Sequence, residues 1–478
     1  MPRLIVILLI SWAYVGCTPR RAALPDLPPE SLRGGAVRVA VDTERLAEAL
    51  LSGAVGRPLR PVPEAYRPAP SPGVVSPRED VAAPSRCSRF HLVSGGGVLP
   101  QVLIAELERR LRDPDSAAGW LLRPVAGAAG FAAGRRDRVD GLSVDGSAVL
   151  FCTEAPAPDL PQRLLHSDLL YWERDPSAGL ARGPGPFIEA DSRALVPNPQ
   201  AEPAPILSLV DRIVADDAAL FLELGEVDAA LVYGRAAARL LDSGPPGLSF
   251  ERAPDWDRRF ALWLDPLARW LNDPRFRRWT SRHIDRPAMI EHLFGGRGEA
   301  LDDLLDQPDA GAIEAPTARP VSAGSVPRFA LAFDAADSDA ERIAARVKAQ
   351  LQTERVEVTL LPMPRDQFLL ELREGRVQAA VVPVEPFFDD PVLALRETAA
   401  VLGPSVEGAI LVLDQAAALA AADARLSAAL AAEQILLREA VVIPLVRVHA
   451  WLATRAGLAG VRVGPGPVLQ FHEAGWSR

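Results

Sequence analysis

Lysine is all but missing from this chain. Lys348 is the only one, so nearly all of the 52 basic residues are arginines. That removes Schiff-base chemistry, which needs a desolvated lysine amine. Positive excess is missing too: the net charge of −10 argues against nucleic acid, whose phosphates demand a basic surface. Cysteine occurs three times and histidine six. His91, His166, His283, His292, His449 and His472 are scattered without the ligand spacing of a zinc site. No G-x-S-x-G elbow, H-E-x-x-H helix or nucleophile with an evident base is present. Asp216-Asp217 and Asp302-Asp303 are adjacent pairs, which point apart on a helix and read as solvated faces. Ser94-Gly95-Gly96-Gly97 is followed by no Lys-Ser/Thr and reads as a turn, not a phosphate loop. A binding role therefore leads over an enzyme, with no metal and no cofactor expected.

What is there is a soluble globular composition, with 49% hydrophobic and 24% charged residues. The length of 478 residues allows about three domains with large cores. Near the amino end Met1-Pro2-Arg3 supplies a positive charge, and Leu4 to Gly16 is uncharged and mostly apolar. Thirteen residues are too few to span a bilayer and suit the apolar part of a signal peptide. Tyr14-Val15-Gly16-Cys17 resembles a bacterial lipobox, which implies cleavage before Cys17 and a diacylglycerol anchor on its thiol. Tyr14 stands where leucine is usual, and an ordinary secretory signal with an incidental cysteine is the other reading. Thr18 follows, so no aspartate retention signal is visible, and residues 18–35 read as a Pro/Gly tether. Cys87 and Cys152 lie in strand-like runs, and an exported chain invites a disulfide between them. Two buried free thiols are the alternative.

A short strand is expected over 36–42, then helical spacing through Leu51. Residues 57–85 hold eight prolines, a density at which no regular element is expected. The pattern recovers with a strand around Phe90 and a helix from Pro100 to Leu111. A cassette then occurs twice. Phe221 to Val232 and Phe368 to Val382 each read as a helix, a glycine (Gly225, Gly375) and an unbroken apolar strand. Glycine past a last helical turn takes the left-handed conformation, and the apolar run implies a strand covered on both faces. Two such cassettes point to two α/β lobes of one plan. After the second-lobe strand at Phe329, Ser338-Asp339-Ala340-Glu341 reads as a capping box, and Ile343, Val347 and Leu351 mark one helix face. Glu314–Pro327, rich in proline, reads as the connector between lobes. Gln415–Glu439 reads as one helix, and Val441–Leu445 as a strand returning to the first lobe. The arginine groups at Arg135-Arg136, Arg258-Arg259 and Arg275 to Arg282 read as solvated faces and loops.

Leu271 to Arg286, with Asn272-Asp273-Pro274 opening one helix and Ile284-Asp285-Arg286 leading into another, ends at Gly295-Gly296. This stretch resembles the signature of the family 5 extracellular solute-binding proteins, the peptide- and nickel-type receptors of ABC importers. Trp279 and His283 replace two alanines of that signature. Gly183 to Phe187, Gly225-Glu226-Val227-Asp228, Arg328–Pro383, Gln434–Leu445 and Gly475-Trp476 resemble further family segments in family order, over roughly 88–478. The resemblance implies an α/β, two-lobed periplasmic-binding-protein-like fold of type II with a smaller inserted subdomain. Residues 36–47, 187–315 and 446–478 would form lobe I, 48–186 the insert and 316–445 lobe II. It implies capture of a small solute, first of all an oligopeptide, by hinge closure, and delivery to an ABC permease. The protein would be a lipid-anchored monomer of the periplasm or cell envelope, without nucleic acid as a partner. In peptide-binding relatives an aspartate ahead of an Asp-Pro pair meets the ligand amine. Here Phe387 holds that position and Phe388 the neighbouring one, with Glu385 and Asp389 out of register as substitutes. Whether Phe387 and Phe388 meet the ligand or pack the hinge stays open. The proline-rich segment, Phe387 and the loss of an F-H-x-G loop favour a second reading, a degenerate envelope lipoprotein or a ligand sensor.

Overall fold

A computed structural model describes residues 32–41, 59–61, 87–92, 100–113, 116–146, 148–155, 157–164, 166, 169, 173–174, 181–182, 186–191, 194–199, 204–214, 217–253, 257–305, 326–384, 388–402, 406–463, 469–471 and 473–477. Two sheets dominate. The seven-stranded sheet runs in the order Leu248–Arg252, Ala450–Arg455, Ala229–Tyr233, Ala36–Val41, Leu209–Val214, Ala194–Pro197, Phe187–Glu189. The six-stranded sheet runs Gly298–Ala300, Val442–Val448, Arg258–Leu264, Ala379–Val384, Arg328–Asp334, Glu357–Met363. At the centre of each is a parallel trio: Ala36–Val41 between Leu209–Val214 and Ala229–Tyr233, and Arg328–Asp334 between Glu357–Met363 and Ala379–Val384. Each trio is flanked by an antiparallel strand, Ala450–Arg455 in the first and Arg258–Leu264 in the second.

The repeated cassette builds both trios. Asp217 caps the helix Ala218–Leu224 by accepting from the Leu220 amide, and Gly225 ends it at φ 76°. The strand that follows, Ala229–Tyr233, has its first four residues buried. In the second copy Arg365–Arg373 is the helix, Gly375 turns at φ 66°, and Ala379–Val384 is the buried strand. The helix Ser338–Thr353 packs Ile343, Val347 and Leu351, all at 0% exposure, on the second sheet. Full burial of such side chains is worth roughly 1.5–3 kcal/mol each. Its cap is Asp337, which accepts from the Asp339 and Ala340 amides. The expected capping box was therefore one residue late: Asp337 reaches two amides at once, and Ser338 becomes the first helical residue. Gln415–Glu439 is two helices, Glu407–Ala416 and Ala422–Arg438, and not one. Alanine spacing carries no marker of that break.

The lobe boundaries also move. Arg258–Leu264 pairs with Ala379–Val384 on one side and Val442–Val448 on the other. Residues 258–305 and 442–448 thus belong with lobe II, where lobe I was expected through 315. The chain leaves the first sheet after Arg252, enters the second at Arg258, and passes back at His449. Of the expected interlobe connector, residues 314–325 are outside the described residues; the described chain before the gap, through 305, and after it, from 326, belongs to lobe II. A strand's neighbours come from distant chain, so periodicity marks the strand without naming its sheet.

The signature stretch is scaffold. Asp273 caps Pro274–His283 with Pro274 in the first position, and Asp285 caps Arg286–Phe294, closed by Gly295 at φ 58°. Arg277 is not on a solvated face: at 2% exposure it donates to the carbonyls of Leu271 and Glu439. Arg286 donates to the carbonyls of Pro444 and Ser281. Burial pulls both guanidinium pKa values down. Trp279 stacks between Phe276 and His283, with centroids 5.5 and 4.2 Å away.

The insert holds a four-stranded sheet, Leu59–Pro61, Cys87–Leu92, Ala148–Cys152 and Leu142–Asp145. The three residues Leu59–Pro61 correct the expectation of no element in 57–85. They form an edge strand, a place in a sheet where proline is tolerated because its missing amide can fall on the unpaired side. Cys87 lies opposite Cys152 and the two are joined, S–S 2.13 Å. The insert's core includes Phe388 and Leu393 of lobe II, so the two share one apolar cluster.

Candidate functional site

In a doubly wound sheet, ligands settle where the parallel strands end. Here those edges come together at one junction. Tyr233 closes a lobe I strand and Gly234 opens the helix Gly234–Ser243. Asp334 closes a lobe II strand and receives Arg365 at 3.1 Å. Between them sits Arg258, the first residue of the crossing strand and 7% exposed, against the expectation of a solvated pair. Its guanidinium donates to both Asp337 oxygens, at 2.6 and 3.3 Å, and lies 4.0 Å from Asp339. It also covers the Tyr233 ring, 4.4 Å from the centroid. One arginine thus touches residues of both lobes.

The two crossing segments are tied to each other. The Ala253 amide donates to the Ala450 carbonyl at 3.0 Å, and Asp257 accepts from the Ala450 amide at 3.2 Å. Asp257 also takes a bidentate pair from Arg252, at 2.6 and 2.7 Å. Burial pushes the Asp257 carboxyl up, outweighing Arg252. Beside it His449 meets Glu299 at 3.4 Å.

The residues expected to meet a ligand are spread differently. Glu385 and Phe387 lie outside the described residues, as does Cys17, where a lipid anchor is expected. Phe388 is buried between the Trp120 and His166 rings, at 6.0 and 5.6 Å. It packs the insert on lobe II. Asp389 is exposed, and nothing places it beside Phe388's partners. The neighbouring Asp390 does more: it caps Pro391–Val401 and binds Arg425 in a bidentate pair at 2.7 and 2.8 Å. Burial raises the Asp390 carboxyl, but the Arg425 and Leu393 hydrogen bonds outweigh it and hold the carboxyl below its usual range. Arg425 also approaches Asp159 of the insert, 3.6 Å away, and Asp159 pairs with Arg163 at 2.8 Å.

Arg258, Asp337 and Asp339 were missed as junction residues, and so was Arg425. Arg258-Arg259 directly before an apolar run was the visible signal, since arginines opening a buried strand need acceptors. Among the described residues no cluster of His, Cys, Asp and Glu could hold a metal ion, and no helix is long and apolar enough to cross a membrane.

No protein-family model matches the sequence, and no curated protein matches it. Solved structures do. The periplasmic binding protein DppA from Helicobacter pylori, in complex with the peptide STSA, superposes with a TM-score of 0.72 at 14% identity, over 94% of this chain and 99% of that one. The Escherichia coli murein tripeptide binding protein MppA gives 0.72 at 16% identity, over 93% and 98%. MppA in an unliganded open form gives only 0.57, again at 16% identity, over 93% and 97%. The chain has the two-lobed fold of the family 5 periplasmic solute-binding proteins.

Proposed function

We propose that this chain is the divergent substrate-binding component of an ABC importer. It captures a small solute by hinge closure and delivers it to a permease without covalent change. The carrying observation is mechanical. Two lobes of one plan are joined by two crossing segments that hydrogen-bond to each other, with strand ends facing across the junction. Such a hinge turns binding between the lobes into a change of shape. An oligopeptide is the first solute to test, because DppA binds the peptide STSA and MppA a murein tripeptide. Under this reading the protein works outside the cytoplasm as a monomer, anchored through Cys17, with Glu385, Phe387 and Asp389 bordering the ligand. Phe388 has its place in packing.

The burial of Phe388 favours a second reading, an envelope lipoprotein or sensor that kept the scaffold without transport. Native and denaturing mass spectra of the chain purified from an oxidising envelope separate the two. A small mass released on denaturation, or a thermal shift with a peptide pool, is the result expected for the receptor. An empty protein that no peptide stabilises sinks it. The denatured mass also reports the lipid on Cys17.

A further inference from the structure

The helix Gly234–Ser243 starts directly after a buried strand of lobe I, so its first amides emerge at the junction. A carboxylate from the other lobe lies against its first residue. Gly234 has φ 58°, and a Cβ at that position would fall 2.7 Å from Asp339 Cγ. Only glycine admits the approach. Asp339 lies in the first turn of Ser338–Thr353 in lobe II and is 4% exposed. Arg258, on the crossing strand, is 4.0 Å from it and binds Asp337 beside it. A carboxylate at a helix N-terminus is favourable because the unpaired amides carry partial positive charge there. Here the helix and the carboxylate come from different lobes, so the attraction is lost when the lobes part.

We propose that Asp339 is an interlobe latch: its carboxylate, seated on the N-terminus of Gly234–Ser243, holds the lobes closed with the chain's own groups. The two-lobed fold is all this requires, so it stands or falls apart from any ligand or permease. Asp337 and Arg258 keep the latch aimed, since the bidentate pair fixes the turn from which Asp339 projects.

The test measures lobe separation in the full chain, purified from the envelope with no peptide added. Spin labels carried on p-acetylphenylalanine at Leu224 and Leu370, exposed on the two lobes, report the distance by pulsed electron paramagnetic resonance. Asp339→Asn keeps the shape and removes the charge. It is expected to raise the open-to-closed ratio roughly tenfold. Glu341→Gln, an exposed acid on the same helix, leaves the distribution unchanged. Gly234→Ala displaces the carboxylate by volume and opens the lobes as well, and a thermal melt of each variant shows that it is folded. A distribution for Asp339→Asn that overlays the wild type overturns the latch. So does a wild type already as open as that variant, or an equal opening by Glu341→Gln.

Discussion

The two lobes solve one problem with different chemistry. In lobe I, Asp228 precedes the third strand of the trio; its side chain accepts from the Arg38 amide at 2.9 Å and its carbonyl from the Arg455 amide at 2.7 Å. In lobe II, Gln378 holds the equivalent place. Its side chain accepts from the Ala330 amide at 2.8 Å and its carbonyl from the Asp265 amide at 2.9 Å. Each acceptor ties the first strand of its trio, and the antiparallel crossing strand, to the third. The difference is charge. Asp228 is ionisable and also gathers the Arg38 and Arg455 guanidiniums, each at 3.2 Å. Gln378 joins the same strands with a neutral amide. Hydrogen bonds to charged groups are worth about 1.5–3 kcal/mol against about 1 kcal/mol for neutral ones. The lesson is that one acceptor position joins the strands in both lobes, and only lobe I puts there a charge that also gathers two guanidiniums.

The largest effect comes from outside the pair and supplies a reference. Replacing Cys87 and Cys152 by serine removes a bridge across 65 residues, worth about 4 kcal/mol in the chain-entropy model. Denaturant melts should show that loss in the insert, and the intact chain's mass should be two hydrogens short. A reduced mass means no bridge. Next, Asp228→Ala should cost about 3 kcal/mol, because it strands a strand amide and two guanidiniums. Gln378→Ala should cost about 1 kcal/mol. Equal losses in urea melts would erase the distinction between the lobes. Asp390→Asn tests a charged acceptor in lobe II and should cost about 2 kcal/mol near neutral pH. The Asp390 carboxyl is held low in the fold, so its stabilisation is present above the unfolded carboxylate pKa. That contribution fades as pH falls through the folded value. The variant's deficit should therefore shrink in acid. Asp257 has the opposite sign. Its carboxyl is raised by burial, so its contribution to stability is present below the unfolded pKa and lost as pH rises through the folded one. Asp257→Asn should match the wild type in acid and equal or exceed it at neutral pH. Arg38→Ala and Arg455→Ala should each cost only about 0.5–1 kcal/mol, because both side chains are about a third or more exposed. A larger loss from either would shift weight from the shared carboxylate to that arginine.

Much of this comparison was already visible along the chain. Gly225-Glu226-Val227-Asp228-Ala229-Ala230 and Gly375-Arg376-Val377-Gln378-Ala379-Ala380 align residue for residue, and both fold as helix stop, acceptor and buried strand. The Asn272-Asp273-Pro274 and Ile284-Asp285-Arg286 starts became caps where their side chains can reach the next amides. Arg258 and Arg277 were misread as solvated because their acceptors, Asp337 and the Glu439 carbonyl, lie 79 and 162 residues away. Phe388 could equally have lined a cleft or packed one. Only the arrival of Trp120 and His166 from the insert decided for packing.

By itself the sequence determined what is local or periodic. It set the glycine stops, the caps within a residue, the apolar strands, the paired cassettes and an acidic chain nearly free of lysine. These follow from backbone sterics and from the spacing of side chains on one element. Tertiary structure alone decided which sheet each strand joined, where the chain crosses between lobes, and that Asp339 meets Gly234. Those outcomes depend on contacts between residues far apart in the chain, and no local spacing encodes which distant partner will complete a sheet edge or neutralise a buried charge.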